Sequence, residues 1–187
     1  FSRGRVHLLR NNHDCILTSS STIIKDDSLL TCRIPGMSKC SPTRIILDSS
    51  LKIPLKSNIV KTANKFHTII FFNKNNKKKI KILKKLKIQL IKASLNSKGL
   101  FNLKKILFKI KILGFSRILL ESGLKLTTHF LNEKLVDEFQ LFISDKKLIN
   151  NGSGNFKKYM ESFFKKKRFI NQKVNLFGDR LLFYRLK

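Results

Sequence analysis

A chain of 187 residues, 42% of them hydrophobic, is long enough for one well-cored domain and too short for two ordinary ones. Its formal charge is +29, from 40 Lys and Arg against 11 Asp and Glu, a balance that first suggests nucleic acid or an anionic surface. No apolar run approaches the roughly 18 residues that span a bilayer, and residues 1–7 lack the apolar stretch of a secretory leader.

The expectations from these bulk properties are no membrane and a cytoplasmic location. Three cysteines without a Cys-x-x-Cys pair suit a reducing compartment. Four scattered histidines give no zinc spacing, so no metal is expected. The charge itself is Lys-heavy: 31 of the 40 basic residues are Lys and only 9 are Arg. A chain selected to read nucleic acid favours the bidentate Arg fork and clusters its charge. Lys, Ile, Asn and Phe share AT-rich codons, so drift on solvated faces accounts for most of the excess, and no specific nucleic acid is expected.

Taken in order, Val6, Leu8 and Leu9 mark the end of a helix stopped by Asn11-Asn12. Cys15–Thr18 reads as a strand. It leaves into Ser19, Ser20, Ser21 and Thr22, followed by Ile23-Ile24 and the acidic pair Asp26-Asp27. A strand running into small hydroxyl residues is how α/β proteins bring backbone N–H groups to a ligand. A plainer explanation competes: a helix start capped by Ser or Thr, with acids favoured in its first turn by the dipole. Residues 35–42 form a loop. Thr43–Leu47 and Thr68–Phe72 are β-branched or aromatic runs of strand length, the first closed by an Asp48-Ser49-Ser50 turn.

Lys79–Leu86 reads as a short helix with Ile82, Leu83 and Leu86 on one face, and Lys87–Lys92 as a strand. Asn102 caps a helix over Leu103–Leu113, ended by Gly114, with Ile106, Ile110 and Leu113 facing inward. Arg117–Leu120 is another strand. Glu121-Ser122-Gly123 then turns into a helix through Asn132. A carboxylate, small residues and a helix start make either an anion cradle or an ordinary strand-to-helix turn. Asp137-Glu138 is read as a solvated turn, Phe139–Ile143 as a strand and residues 150–154 as a loop. Val174–Phe177 and Leu181–Tyr184 are read as a hairpin turning at Gly178-Asp179. Strands alternating with helices imply parallel βαβ units with an antiparallel end. His13-Asp14-Cys15 is no catalytic trio, because strand neighbours alternate faces.

Five ordered blocks carry a resemblance that spans nearly the whole chain. They are V-H-L-L-R (6–10), I-L-T-S-S-S-T-I-I-K-D-D-S-L-L-T-C-R (16–33), P-T-R-I-I-L-D-S-S-L-K-I-P (42–54), R-I-L-L-E-S-G (117–123) and L-V-D-E-F (135–139). Together they resemble the reductase domains of the bifunctional riboflavin-biosynthesis deaminase/reductases. The resemblance implies an α/β, dihydrofolate-reductase-like fold: a mostly parallel central sheet flanked by helices, with an antiparallel C-terminal hairpin. It implies NADPH-dependent reduction of 5-amino-6-(5-phosphoribosylamino)uracil, with hydride opening the ribose to a ribityl chain. It places Arg10, Leu30, Arg33 and Glu121 at substrate positions. Thr22, Asp26, Ser49, Gly123, Leu124, Lys125, Leu126 and Thr127 fall at cofactor positions. It names no general acid. The implied partners are a phosphoribosylamino pyrimidine, a deaminase domain upstream in a longer chain, and a second copy in a homodimer.

Several features depart from that pattern. The S-L-D-G-K-like first strand and the G-E-S-x-W-I segment are missing, as are the His-Ala-Glu and Pro-Cys-x-x-Cys motifs of a zinc deaminase. With no initiator Met either, the chain is expected to be a C-terminal piece of a longer protein. Asp27-Ser28 stands where Asp-Pro is usual, Ser122 where Gly is usual, and Ser144–Asn151 departs from A-P-x-L-L-G. Two rivals remain: a basic RNA-binding protein of ribosomal type using Lys74–Lys92, and another pyrimidine or pteridine reductase of the same fold.

Overall fold

The computed structural model describes residues 2–144, 163–165 and 167–187. It divides into two units, Val6–His129 and a second made from Phe1–Arg5 with Phe130–Lys187. The loop expected at residues 150–154, and all but the first residue of the Ser144–Asn151 departure, lie outside the described residues.

The larger unit is built on a parallel sheet of five strands. They are β1 (Cys15–Ser19), β2 (Thr43–Leu47), β3 (Thr68–Phe72), β4 (Gln89–Lys92) and β5 (Ile118–Leu120), in the order β4-β3-β2-β1-β5. Every neighbouring pair is parallel. The middle strands are covered on both faces, which is why they read as unbroken apolar runs rather than alternations; all five residues of β3 are buried. Ile16, Ile46, Ile70 and Phe72 join Ile23, Leu30, Ile53, Ile59 and Leu83 in one apolar cluster. Chain order runs outward from β1 through β4 and then returns to the other side of β1 with β5. The β1–β5 edge is therefore a topological switch point, where α/β sheets open a crevice at the strands' carboxyl ends.

The helices are α1 (Ser2–Asn11), α2 (Ser20–Asp26), α3 (Asn58–Lys61), α4 (Lys77–Lys85), α5 (Leu103–Ile112) and α6 (Leu124–Asn132). Asn102 caps α5 as expected, its side chain accepting from Lys105 N–H, and Leu103, Ile106 and Ile110 are buried. Two expectations need correction. In α4 the buried residue is Leu83, with Ile80 packed beside it, while Ile82 and Leu86 are largely exposed. The two acids after the hydroxyl run do not lie in a first helical turn. Ser19 is the N-cap and three hydroxyl residues fill the start of this seven-residue helix, so Asp26 falls in its last turn and Asp27 at its C-cap, with φ 41°.

The second unit carries a three-stranded antiparallel sheet of β6 (Glu138–Ile143), β8 (Arg180–Arg185) and β7 (Ile170–Asn171), in the order β6-β8-β7. Leu131, Phe164 and Tyr184 form its core, with ring centroids of Phe164 and Tyr184 4.3 Å apart. The expected antiparallel end is present, but its hairpin is different. β8 pairs with Ile170–Asn171, and Val174–Phe177 lies in the connection. The shift has a local cause: Gln172 N–H still bonds Leu181 O, and the chain then leaves the ladder.

Candidate active site at the β1–β5 switch point

The candidate site lies within the larger unit, where β1 and β5 end side by side. Leu17 faces Leu120 across the parallel ladder, and Glu121 N–H donates to Leu17 O at 3.1 Å. The hydroxyl run after β1 therefore sits beside the Glu121–Gly123 turn, although about a hundred residues separate them in sequence. Ser19 caps α2: its Oγ accepts from Thr22 N–H at 3.4 Å and lies 2.8 Å from Ser21 Oγ and 3.1 Å from Thr22 Oγ1. Thr22 Oγ1 in turn accepts the Gly123 N–H at 3.3 Å. That bond joins the two loops across the switch point.

The other wall is the start of α6. Ser122 Oγ lies 3.2 Å from Thr127 Oγ1, closing the turn on itself. The N–H groups of Leu124, Lys125 and Leu126 stand in the first turn, where no intrahelical carbonyl reaches them. A Cβ built at Gly123 meets nothing within 4 Å apart from its own chain neighbours, so the space beside Gly123 is open. Amides at a helix start, an adjacent glycine and a ring of hydroxyls are what a phosphate group requires.

Ser49 follows β2, one strand away from β1. Its carbonyl accepts from Asn73 N–H and Lys74 N–H at 2.9 and 2.8 Å, fixing the ends of β2 and β3 to one another. Asp48, just before it, is buried and spends its carboxylate on Lys52 N–H and Ile53 N–H. The sequence offered it as a turn former; the structure makes it the anchor of the Ser49 loop. Asp26 lies four residues beyond Thr22, about 6 Å along the same face of α2, and is exposed.

A second group gathers around Arg10. This buried guanidinium donates side-on to Glu121, Nε to Oε2 at 3.0 Å and Nη2 to Oε1 at 2.5 Å, while Nη1 reaches Thr31 O at 2.9 Å. Arg10 and Glu121 were separate substrate candidates; they are partners. His7, one turn earlier on α1, places Nδ1 3.1 Å from Thr31 O, and Arg33 N–H donates to the same nitrogen at 3.3 Å. Burial first, then the charges of Arg10 and Arg33, hold the His7 pKa below its ordinary value, against upward pulls from the Thr31 carbonyl and Glu121. The Arg33 side chain is exposed and has no ion pair among the described residues.

The Leu30 side chain is buried in the apolar cluster. Its backbone is left-handed, φ 53°, an uncommon state for a branched residue that the surroundings must impose. The preceding carbonyl, Leu29 O, is held by Arg44, which sequence reading took only as part of a strand. It is fully buried, and its guanidinium binds Leu29 O, Ile59 O, Phe66 O, Thr62 Oγ1 and Thr68 Oγ1. No carboxylate pairs with it among the described residues. Burial lowers its pKa to about 10, so it remains charged at neutral pH. What Leu30 can offer a ligand is its main chain, held in place through Leu29.

His7 was missed although the H-x-x-R spacing on α1 was a usable signal, since residues three apart share a helix face. Asp14 and Cys15 behave as ordinary strand-end residues. The Asp14 carboxylate accepts Ser116 and Arg117 N–H, which lowers its pKa, and burial raises the Cys15 thiol to about 12. Among the described residues no group of His, Cys, Asp and Glu could hold a metal ion, and no helix is long and apolar enough to cross a membrane.

Comparison with known proteins gives this geometry a family. The model of the RibD C-terminal domain matches residues 1–155. The riboflavin biosynthesis protein RibD of Aquifex aeolicus is 32% identical over 98% of this chain, which covers 49% of that protein. A protein of Buchnera aphidicola (subsp. Acyrthosiphon pisum) named 5-amino-6-(5-phosphoribosylamino)uracil reductase is 31% identical, with 78% of this chain and 72% of the relative aligned. Among solved structures, Acinetobacter baumannii RibD superposes with a TM-score of 0.73 at 21% identity, over 98% of this chain and 49% of that one. The yeast riboflavin biosynthesis reductase Rib7 does so at 0.70 and 18%, over 98% and 80%. The expected dihydrofolate-reductase-like fold stands. The chain spans about half the length of the RibD proteins it matches.

Proposed function

The chain belongs to the RibD C-terminal domain family, and from that membership we propose that it is an NADPH-dependent reductase of 5-amino-6-(5-phosphoribosylamino)uracil. The product is the ribitylamino pyrimidine. The observation that carries this reading is the junction at the switch point, where Thr22 Oγ1 holds Gly123 N–H and the first turn of α6 opens beside Arg10 and Glu121. A phosphate cradle and a charged substrate clamp lie on consecutive residues of one turn.

The residues present fit a nicotinamide dinucleotide. Gly123 and the N–H groups of Leu124, Lys125 and Leu126 would take its pyrophosphate on a helix start, with the Thr127 hydroxyl stabilising the turn. Thr22 borders the same space, and Ser49 offers a hydroxyl beyond the neighbouring strand. Asp26, one turn beyond Thr22 on the same helix face, would add a second polar group toward the cofactor. When bound, the cofactor supplies a hydride to the ribose C1′. The chain's own contribution is placement: Arg10 fixes the Glu121 carboxylate, whose free lone pairs accept from substrate hydroxyl or amine groups. Arg33 offers an unpaired guanidinium to the ribose phosphate, and Leu30 its strained main chain. Most of the rate acceleration would come from holding donor and acceptor in line.

We further propose that the chain works as the reductase part of a longer protein carrying a deaminase domain, and as a homodimer. The decisive test is to incubate purified full-length protein with the phosphoribosylamino uracil and NADPH. Stoichiometric loss of nicotinamide absorbance with appearance of the ribityl product is expected. No cofactor oxidation above the substrate-free rate would sink the reading.

A further inference from the structure

One nitrogen in the candidate site has two partners of opposite sense. Thr31 O, an acceptor, lies 3.1 Å from His7 Nδ1, while Arg33 N–H, a donor, approaches the same atom at 3.3 Å. A protonated Nδ1 donates to Thr31 O and cannot accept from Arg33. A bare Nδ1 accepts from Arg33 and makes no bond to the carbonyl. Whether Nδ1 carries a proton therefore decides which end of the Thr31–Arg33 segment the ring holds: the charged ring always donates there, and a neutral ring accepts from Arg33 only as its Nε2–H tautomer. Arg10 approaches the same segment from the same face of α1, through Nη1 to Thr31 O. Its three bonds to Glu121 and Thr31 leave two of its five N–H groups unspent.

We propose that His7 is a positioning residue that clamps the Thr31–Arg33 segment and exchanges Arg33 N–H for Thr31 O when Arg10 and Arg33 hold a phosphate monoester. The identity of that ligand as a phosphorylated ribose rests on the reductase reading. The charged groups acting on the ring are Arg10 on its own helix, Arg33 on the clamped segment and Glu121 after β5. With burial, the two cations favour the neutral imidazole in the empty site, and its Nε2–H tautomer accepts from Arg33. A bound dianion outweighs the two cations and the ring takes a proton from solvent. Nδ1–H then turns to Thr31 O, and the released Arg33 N–H is free for a phosphate oxygen. Phosphate binding is coupled to uptake of one proton at a residue that does not touch the reacting carbon.

The test uses the full chain, ribose 5-phosphate as probe, and ring-nitrogen NMR of His7. Without ligand, the ring should titrate below the ordinary histidine range. Saturating ribose 5-phosphate should raise its proton affinity by roughly tenfold or more, a shift of about one pH unit. The His7→Asn variant keeps an acceptor for Arg33 N–H but carries no proton. Its affinity for ribose 5-phosphate should lose the part of the pH dependence between about pH 6 and 8 that exceeds the ligand's own ionisation. A merely structural His7 would leave that profile unchanged. Ribose 5-phosphate binding with an unmoved His7 titration, matching pH profiles in wild type and His7→Asn, or no binding at all would each overturn the proposal. The reductase assay separates the two readings: turnover with an unresponsive ring removes the clamp alone, and a responsive ring without turnover removes the reductase.

Discussion

Arg44 ties the chain at Leu29 to the buried ends of its neighbours, and its sequence context does not reveal it. In T-R-I-I-L a basic residue in a strand suggests an edge position, yet here it is wholly buried and bonded to three carbonyls and two threonines. Removing it strands those acceptors without solvent, so Arg44→Met should lower stability by ~3–5 kcal/mol, read as a fall in the urea midpoint at unchanged slope. Arg44→Lys should recover little, because an ammonium cannot reach so many acceptors in one plane. A midpoint within ordinary surface-mutant scatter would remove Arg44 from its role in holding Leu29 and Leu30. The Arg10–Glu121 pair poses the same difficulty, since its members are 111 residues apart. Sequence resemblance nominated both residues, and only the fold shows that they face one another. Glu121→Gln keeps the shape and removes the charge. It should weaken substrate binding by about tenfold, or ~1.4 kcal/mol, and also lower the unfolding midpoint, because the buried Arg10 loses its counter-charge; calorimetric titration of the substrate well below that midpoint checks the binding change.

Among the elements, what was legible follows from how locally each is determined. β2 and β3 are β-branched or aromatic runs with turns at both ends, and their limits agree with expectation. Asn102 carries its own capping signal for α5. By contrast, α3 has four residues and no periodicity, and its start is supplied from elsewhere: the Asp27 carboxylate accepts Asn58 N–H at 2.8 Å, while the local N-cap, Ser57, makes no side-chain cap bond. Asp27 does cap a helix start, but that of α3 rather than of the helix it follows. Asp27→Ala should cost about 1 kcal/mol, measured by denaturant unfolding, and should also raise hydrogen-exchange rates for Asn58–Lys61. At the switch point, Thr22→Val deletes the acceptor for Gly123 N–H while keeping volume. A loss of about 1 kcal/mol in NADPH binding, roughly fivefold in Kd, with little change in unfolding, is expected from fluorescence titration. An unaltered Kd would detach the hydroxyl run from the cofactor. The parallel sheet was legible from the alternation of strands and helices. Its β1–β5 adjacency was not, because it depends on where a distant strand returns.

For the whole molecule, the +29 charge is visible in the sequence, but its consequence depends on where the fold places it. The six lysines of α4 surround a single buried residue, Leu83, so Lys74–Lys92 is a folded edge of the sheet with its charges outward. Ion pairs among the described residues include Arg10–Glu121, Arg117–Asp14 and Lys187–Asp137. Self-repulsion on such a surface destabilises the compact state, and salt screens it within a Debye length of about 10 Å at 0.1 M. Raising salt from about 50 to 200 mM should therefore raise the unfolding midpoint. Over the same range, any RNA binding through phosphate contacts should fall by orders of magnitude, because each contact releases counterions. The two responses have opposite signs, so one salt series with and without a mixed-sequence RNA separates them. An RNA-binding protein of ribosomal type would keep a large, sequence-dependent stabilisation by RNA at the upper salt. A reductase with a drifted surface gains stability from the salt itself and loses the RNA. Acid adds an independent axis. His7 is held below its ordinary pKa in the folded state, so its contribution to stability is complete above the unfolded value of about 6.5 and is lost as pH falls through the lower folded one. Asp14, also lowered, adds a second loss as pH drops below about 4. In His7→Asn the first of these two steps should vanish from a plot of unfolding midpoint against pH while the second persists; persistence of both would place the first step on another group.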